Sequence, residues 1–195
     1  MNEVILDLET KKAFVESGKY DPKQLGVSFV GICRRAMDTE DRGSGELSGF
    51  FEDQLDALWP ILEQADRIIG FNIIDFDYPV LSAHYHGDIS SFPTLDILAE
   101  VKKTVGHRVS LDALAKETLG TEKSGTGLDA LLYYEQGRFE ELASYCLSDV
   151  RITRDLYDFG RTHGQLKFKN KWNRLMTVPV DFSFTGEAKV QMSLL

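Results

Sequence analysis

The chain has 195 residues, 43% hydrophobic and 27% charged, with a net charge of −9. That length carries one domain with a sizeable core and is marginal for two; no apolar run reaches the roughly 20 residues of a membrane helix. The negative charge argues against a partner held by phosphate contacts alone, because phosphates call for Lys and Arg. The N-terminus runs straight into a strand with no basic-then-apolar leader, which predicts a cytoplasmic protein with no membrane partner.

The first strand is "EVILDLET", Glu3 to Thr10. Gln24 to Met37 is a long β-branched run and predicts the second. Asp38 to Glu46 is polar and glycine-rich, a turn, and "LSGFFED" is a short third strand in a hairpin with the second. Leu55, Leu58, Ile61 and Leu62 have helical spacing. "DRIIGFN" predicts another short strand. "DFDYPVLSAHYHG" predicts a helix ending near Gly87. After Pro93 the pattern is helical to about Gly164, with Ser110 as N-cap and Gly120 as stop of one helix. The tail from Lys167 is polar, with a short apolar "MTVPV". Three strands in succession, then a helix, a strand and further helices predict an α/β fold on a sheet of mixed strand direction. Four strands are evident, and "FPTLDIL" holds a fifth. Residues 1–164 read as the domain, and 165–195 as an extension packed on it or trailing from it. Cys33 and Cys146 sit far apart in apolar segments and read as buried free thiols.

Three groups of acids stand out. Asp7 and Glu9 alternate onto one strand face together with Ile5, while Val4, Leu6 and Leu8 take the other. Desolvating an unpaired carboxylate costs several kcal/mol, so such a pair is solvated at a rim or neutralised by a cation. Asp75 and Asp77 sit near a helix start, where the dipole favours an acid. Both cannot cap, so one of them faces something else. Tyr145 and Asp149 are four apart and share a face of the long last helix. Asp96 and Asp112 read as helix-start caps. His84 and His86 are two apart on a presumed helix and make a poor ligand pair. His107, Arg108, Lys123 and Ser124 fall in loops that contact a nucleic-acid backbone or are simply solvated. In "QLKFKNKWNR", Lys167, Lys169, Lys171 and Arg174 alternate with Phe168 and Trp172; this is either an edge strand guarded by lysines or a phosphate-contacting patch.

The order of the motifs carries more than any one of them. "DLET", "GFNIIDFDYPVL" and "YCLSDV" follow one another as Asp-x-Glu, Asn-x-x-x-Phe-Asp and Tyr-x-x-x-Asp. The chain resembles the RNase H-like 3′–5′ exonucleases with four acids, the DEDD group, in its tyrosine-bearing (DEDDy) branch. The resemblance runs from about Glu3 to Gly164 and is closest to exonuclease-like domains found alone or attached to bacterial helicases. It implies an RNase H-like mixed sheet of about five strands flanked by helices. It makes Asp7, Glu9, Asp77 and Asp149 the ligands of two divalent ions, Mg2+ or Mn2+, with Asp77 preferred to Asp75 because it follows Phe76. Tyr145 matches a tyrosine that positions the attacking water, and Asn72 a residue that holds its turn. Thr10, Asn72, Phe76, His107, Arg108 and Lys123 are the expected substrate contacts. The implied activity is two-metal hydrolysis of phosphodiesters from 3′ ends, with single-stranded DNA favoured and RNA open. The rivals are an inactive module that binds nucleic acid or a helicase, and a small-molecule phosphoesterase using the same metals. A metal-loaded site removes the objection from charge, since bound cations turn repulsion of phosphate into attraction.

Overall fold

The computed structural model describes residues 1–13, 21–36, 45–121 and 125–184. The turn expected at Asp38 to Glu46 lies almost wholly outside these residues, as do Lys123 and Ser124. Strand β1 (Asn2–Thr10) is the middle of a five-stranded sheet of order β3-β2-β1-β4-β5. Strands β2 (Val27–Ala36) and β3 (Glu46–Phe50) form the antiparallel half, as the hairpin pattern implies. Strands β4 (Arg67–Gly70) and β5 (Thr94–Asp96) run parallel to β1, which makes the sheet mixed.

The alternation in β1 sorts its side chains between two cores. Val4, Leu6 and Leu8 join Ile32, Ile68 and Leu81 on one face, under α1 (Trp59–Gln64) and α2 (Asp77–Leu81). Ile5 faces the other core with Val150, Leu156 and Tyr157 of the long helix α6 (Phe139–His163). Helices α3 (Ile97–Val105) and α4 (Leu111–Leu119) complete that second layer, and α5 (Gly127–Glu135) packs against the start of α6.

Some elements are shorter than the pattern implies. The Leu55-to-Leu62 segment is a 3-10 turn over Glu52–Ala57 followed by α1, because Pro60 cannot donate within a continuous helix. Helix α2 closes at Leu81, well before Gly87. The chain after Pro93 is not helical throughout: "TLD" is β5, and α3 begins only at Ile97. Asp96 caps α3 through Ala99 N–H at 3.1 Å, as expected, whereas α4 is capped by Ser110 and Asp112 lies in its first turn. The basic tail forms a hairpin, β6 (Gln165–Lys169) with β7 (Leu175–Pro179). Leu166, Phe168 and Val178 of that hairpin enter the α4–α6 core, and Phe182 beyond it stacks on Tyr157 at 5.8 Å.

A buried polar cluster fixes α6 to β1. Glu3, fully buried on the Ile5 face, accepts from Tyr157 Oη at 2.5 Å and Arg35 Nε at 3.0 Å. Arg35, its neighbour across the β1–β2 ladder, makes a two-pronged pair with Asp158 at 2.8 and 2.6 Å. Arg67 donates to Tyr157 Oη at 3.2 Å and to the Phe182 carbonyl at 2.8 Å. A buried charge is tolerated when it is paired and hydrogen-bonded in this way.

Tyr157 therefore reports on this joint. Burial, and then the hydrogen bond it donates to Glu3, push its pKa from 10.0 up to about 12. A raised value means the fold favours the neutral phenol, so this stability is complete below pH 10.0 and is lost as pH rises through about 12. Tyr157→Phe should cost about 1.5–3 kcal/mol in urea unfolding, the range for a hydrogen bond to a charged group. The variant should also show a smaller fall in stability than the parent between those two pH values, the rest coming from other buried groups such as Tyr145 and Cys146.

Candidate metal centre

The acids meet at the carboxyl end of β1. Asp7, Glu9 and Asp149 offer oxygens that all lie within 4.8 Å of one another. They converge because α6 runs antiparallel to β1, with Tyr157 over Glu3 at one end and Asp149 by Asp7 at the other. The spacings agree: Asp149 to Tyr157 rises about 12 Å along a helix, and Glu3 to Asp7 about 13 Å along a strand. Gly31 permits the close approach. It faces Asp7 across the ladder, and a Cβ there would lie 3.0 Å from Val150 and 3.1 Å from the Cys146 sulfur.

Asp77 comes from the parallel half of the sheet. Asn72, just past β4, adopts a left-handed φ of 65° that turns the chain, and its carbonyl accepts from Phe76 N–H at 3.0 Å. Asn is among the few residues that take this conformation readily. Phe76, half-buried, precedes α2 and packs in the core beneath it. Asp77 is then buried, and its Oδ1 accepts Leu8 N–H at 3.1 Å, which sets it beside β1. Asp75 is exposed. The two acids thus differ in place: Asp77 is buried beside β1 and Asp75 faces outward.

Asp96 does more than cap a helix. Its Oδ1 accepts from Asn72 N–H at 2.9 Å, and its Oδ2 from Ile74 N–H at 3.1 Å. Sequence pattern shows the cap, three residues away, but not the loop it grips more than twenty residues back. Glu3 was missed for a similar reason. It shares the acidic face of β1, and only the partners from β2 and α6 explain its burial.

The electrostatics are those of a site short of positive charge. Burial, and then the Asp7 charge, hold the Asp77 carboxyl well above the usual carboxylate range. Burial and the charges of Asp149, Glu9 and Asp7 raise the Tyr145 phenol, which is hydrogen-bonded to Asp149. Burial and the same acids push the Cys146 thiol up, so it stays protonated and donates to the Asp7 carbonyl at 3.4 Å. Cys146 and Cys33 are both buried free thiols. The donor set is therefore carboxylate oxygen, which suits a hard divalent cation, and among the described residues no thiolate or imidazole ligand set for zinc is found. His84 pairs instead with Glu52 at 3.7 Å.

Residues 30–159, two thirds of the chain, match the RNase H superfamily. The chain belongs to that superfamily. No curated protein sequence matches it. Among solved structures, the chain is similar to the family B DNA polymerase from the hyperthermophilic archaeon Pyrobaculum calidifontis. The TM-score is 0.59 at 18% identity, over 82% of this chain and 24% of that one, so this RNase H-like chain spans about a quarter of the polymerase. It is also similar to zinc-bound E. coli ExoI in complex with single-stranded DNA, at TM-score 0.48 and 13% identity, over 83% of this chain and 41% of that one.

The other expected contacts are dispersed. Thr10 ends β1 two residues from Leu8, with its hydroxyl on the Lys12 carbonyl at 2.9 Å. His107 and Arg108 lie in the α3–α4 loop, His107 edge-on to Phe168 at 6.0 Å. No helix among the described residues is long and apolar enough to cross a membrane.

The raised Asp77 gives a test on the metal-free protein. A carboxyl raised above 3.8 contributes stability that is complete below that pH and lost as pH rises through its folded value. At neutral pH the metal-free fold bears that cost. Asp77→Asn keeps an acceptor for Leu8 N–H and removes the charge. Its Tm in EDTA at pH 7.5 should rise, by about 2–4 °C for each kcal/mol relieved. The rise should vanish at pH 3.5, as read by calorimetry.

Proposed function

We propose that this chain is a DEDDy-type 3′–5′ exonuclease that hydrolyses phosphodiester bonds at single-stranded ends, with DNA the favoured substrate. The observation that carries this reading is the convergence of Asp7, Glu9 and Asp149 within 4.8 Å, with buried Asp77 held against the same strand. Four carboxylates from β1, α2 and α6 repel one another, and a fold gains nothing from assembling them unless something positive binds there. Asp7, Glu9, Asp77 and Asp149 would hold two divalent ions, Mg2+ or Mn2+. When bound, such ions supply an activated water and counter-charge for the attacking and leaving oxygens of an in-line displacement.

The remaining work belongs to the chain's own groups. Tyr145 keeps its proton across the neutral range because burial and three nearby acids raise it. It is therefore no general base. Its role is to orient the attacking water by hydrogen bond while Asp149 holds the phenol in place. Asn72 and Phe76 fix the turn that presents Asp77, with Asp96 behind them. Thr10 at the strand end, with His107 and Arg108 farther out, would contact the substrate, as would Lys123, which lies outside the described residues. A helicase is the class of partner that would supply single-stranded ends.

The test is a panel of 5′-labelled DNA and RNA oligomers, single- and double-stranded, with Mn2+, Mg2+ or EDTA. The parent should shorten single strands from the 3′ end with either metal and not in EDTA. Asp7→Ala should reduce this to background, and Tyr145→Phe should slow it by about 100-fold with little change in KM. An Asp7→Ala protein as active as the parent would sink the reading.

A further inference from the structure

A second feature lies at the tip of the β6–β7 hairpin. The hairpin tip and the α3–α4 loop enclose a cavity of about 580 Å3, lined by His107, Arg108, Phe168, Lys169, Lys171 and Trp172 among others. That is within the roughly 300–1,000 Å3 of ligand clefts. Arg108, Lys169 and Lys171 bring three formal positive charges, and no acid lines the cavity among the described residues. The whole chain carries −9, so this is a local reversal of sign. Lys169 is paired with Glu117 at 2.9 Å, which leaves Arg108 and Lys171 as the main cations.

Trp172 is 69% exposed, although an indole normally hides its ring. Lys171 Nζ sits 4.5 Å from the centre of the ring. The turn that carries the ring is braced through its backbone. Asn170 Oδ1 accepts from the backbone N–H groups of Trp172 at 3.0 Å and Arg174 at 3.1 Å, and Asn173 closes the turn with a left-handed φ of 58°. An exposed aromatic ring on a braced turn, among cations, is the arrangement by which proteins bind single strands. Bases stack on the ring while the basic side chains follow the backbone.

A second cavity lies on the side of the second acidic motif. Arg108 also lines this cavity, of about 370 Å3, together with Lys102, Lys103, Asn72 and the acids Asp75 and Asp96. Asn72 and Asp96 belong to the loop that presents Asp77. Arg108 is thus shared by two cavities, one at the hairpin tip and one beside the loop that presents Asp77.

We infer that Trp172, Lys171 and Arg108 form a distal binding site for a single-stranded polynucleotide, with an unpaired base stacked on Trp172 and phosphates on the two cations. The inference takes its substrate class from the nuclease reading above, and its test does not need turnover. The full chain is titrated in EDTA against fluorescein-labelled single-stranded oligodeoxyribonucleotide, oligoribonucleotide and duplex DNA, read by anisotropy. Trp172→Ala should weaken single-strand binding by about tenfold, and Trp172→Phe should restore most of it. Arg108→Ala should lower the magnitude of the salt slope by about 0.7. Whichever of DNA or RNA binds more tightly names the natural strand. Thermal unfolding checks that the variants fold, and the exposed positions predict Tm values close to the parent's.

Three results would overturn it: no binding by the parent, equal binding by Trp172→Ala, or duplex bound as tightly as single strand. A parent that binds no oligomer but forms a dimer dissolved by Trp172→Ala and Met176→Glu assigns the hairpin to a protein interface, and also overturns it. Metal-dependent cleavage persisting in those cases would leave the nuclease reading intact. Strand binding without cleavage would leave the distal site and remove the nuclease.

Discussion

The contact on which the rest depends is the buried joint between Glu3 and Tyr157. It lies at the far end of β1 from the acids, and it sets their geometry. Once Tyr157 is fixed over Glu3, the rise of the helix and the pitch of the strand leave little choice about what meets Asp7. Arg35 and Arg67 hold the joint from β2 and β4, so the position of α6 is referred to three strands. A lever held at one end by hydrogen bonds to a buried charge can keep mutually repelling groups together at the other.

The two halves of the sheet contribute differently. The antiparallel half is the rigid mount: β1 is paired along its length with β2, and Gly31 lets α6 settle close above it. The parallel half delivers Asp77 through a short loop and a five-residue helix. Such a helix has little stability of its own. It holds its place because Tyr78 bonds Thr94 on β5 at 2.6 Å, Tyr78 N–H bonds the Ile73 carbonyl, and Val80 and Leu81 are buried.

The parts of the site that obey local rules were legible in the sequence. Alternation put Asp7 and Glu9 on one face, the four-residue spacing put Tyr145 and Asp149 on another, and motif order chose Asp77 over Asp75. The fold class followed from the succession of strands and helices, and the short β5 from "FPTLDIL". What sequence concealed was non-local. Glu3 looked like the polar start of a strand, because Arg35 and Tyr157 are 32 and 154 residues away. Helix α2 stops at Leu81 rather than near Gly87; Tyr85 packs on the core from beyond its end, while Ala83 is exposed. At Gln165 a lysine-guarded strand is one of the two readings, and what the sequence does not show is how it packs. The hairpin's inward residues are Leu166, Phe168 and Val178, and their partners lie on α4 and α6.

Asp96 has a consequence for how such a protein would be dissected by mutation. Its carboxylate ties together the end of β5, the first turn of α3 and the loop that carries the second acidic motif. Removing it would loosen that loop and let Asp77 drift from β1. An activity screen would then score Asp96 with the four proposed ligands, as a fifth acid, although three backbone N–H groups already occupy its oxygens. Loss of function here counts both the groups that touch the reaction and the fastener behind them, and only a measure of loop order tells the two apart.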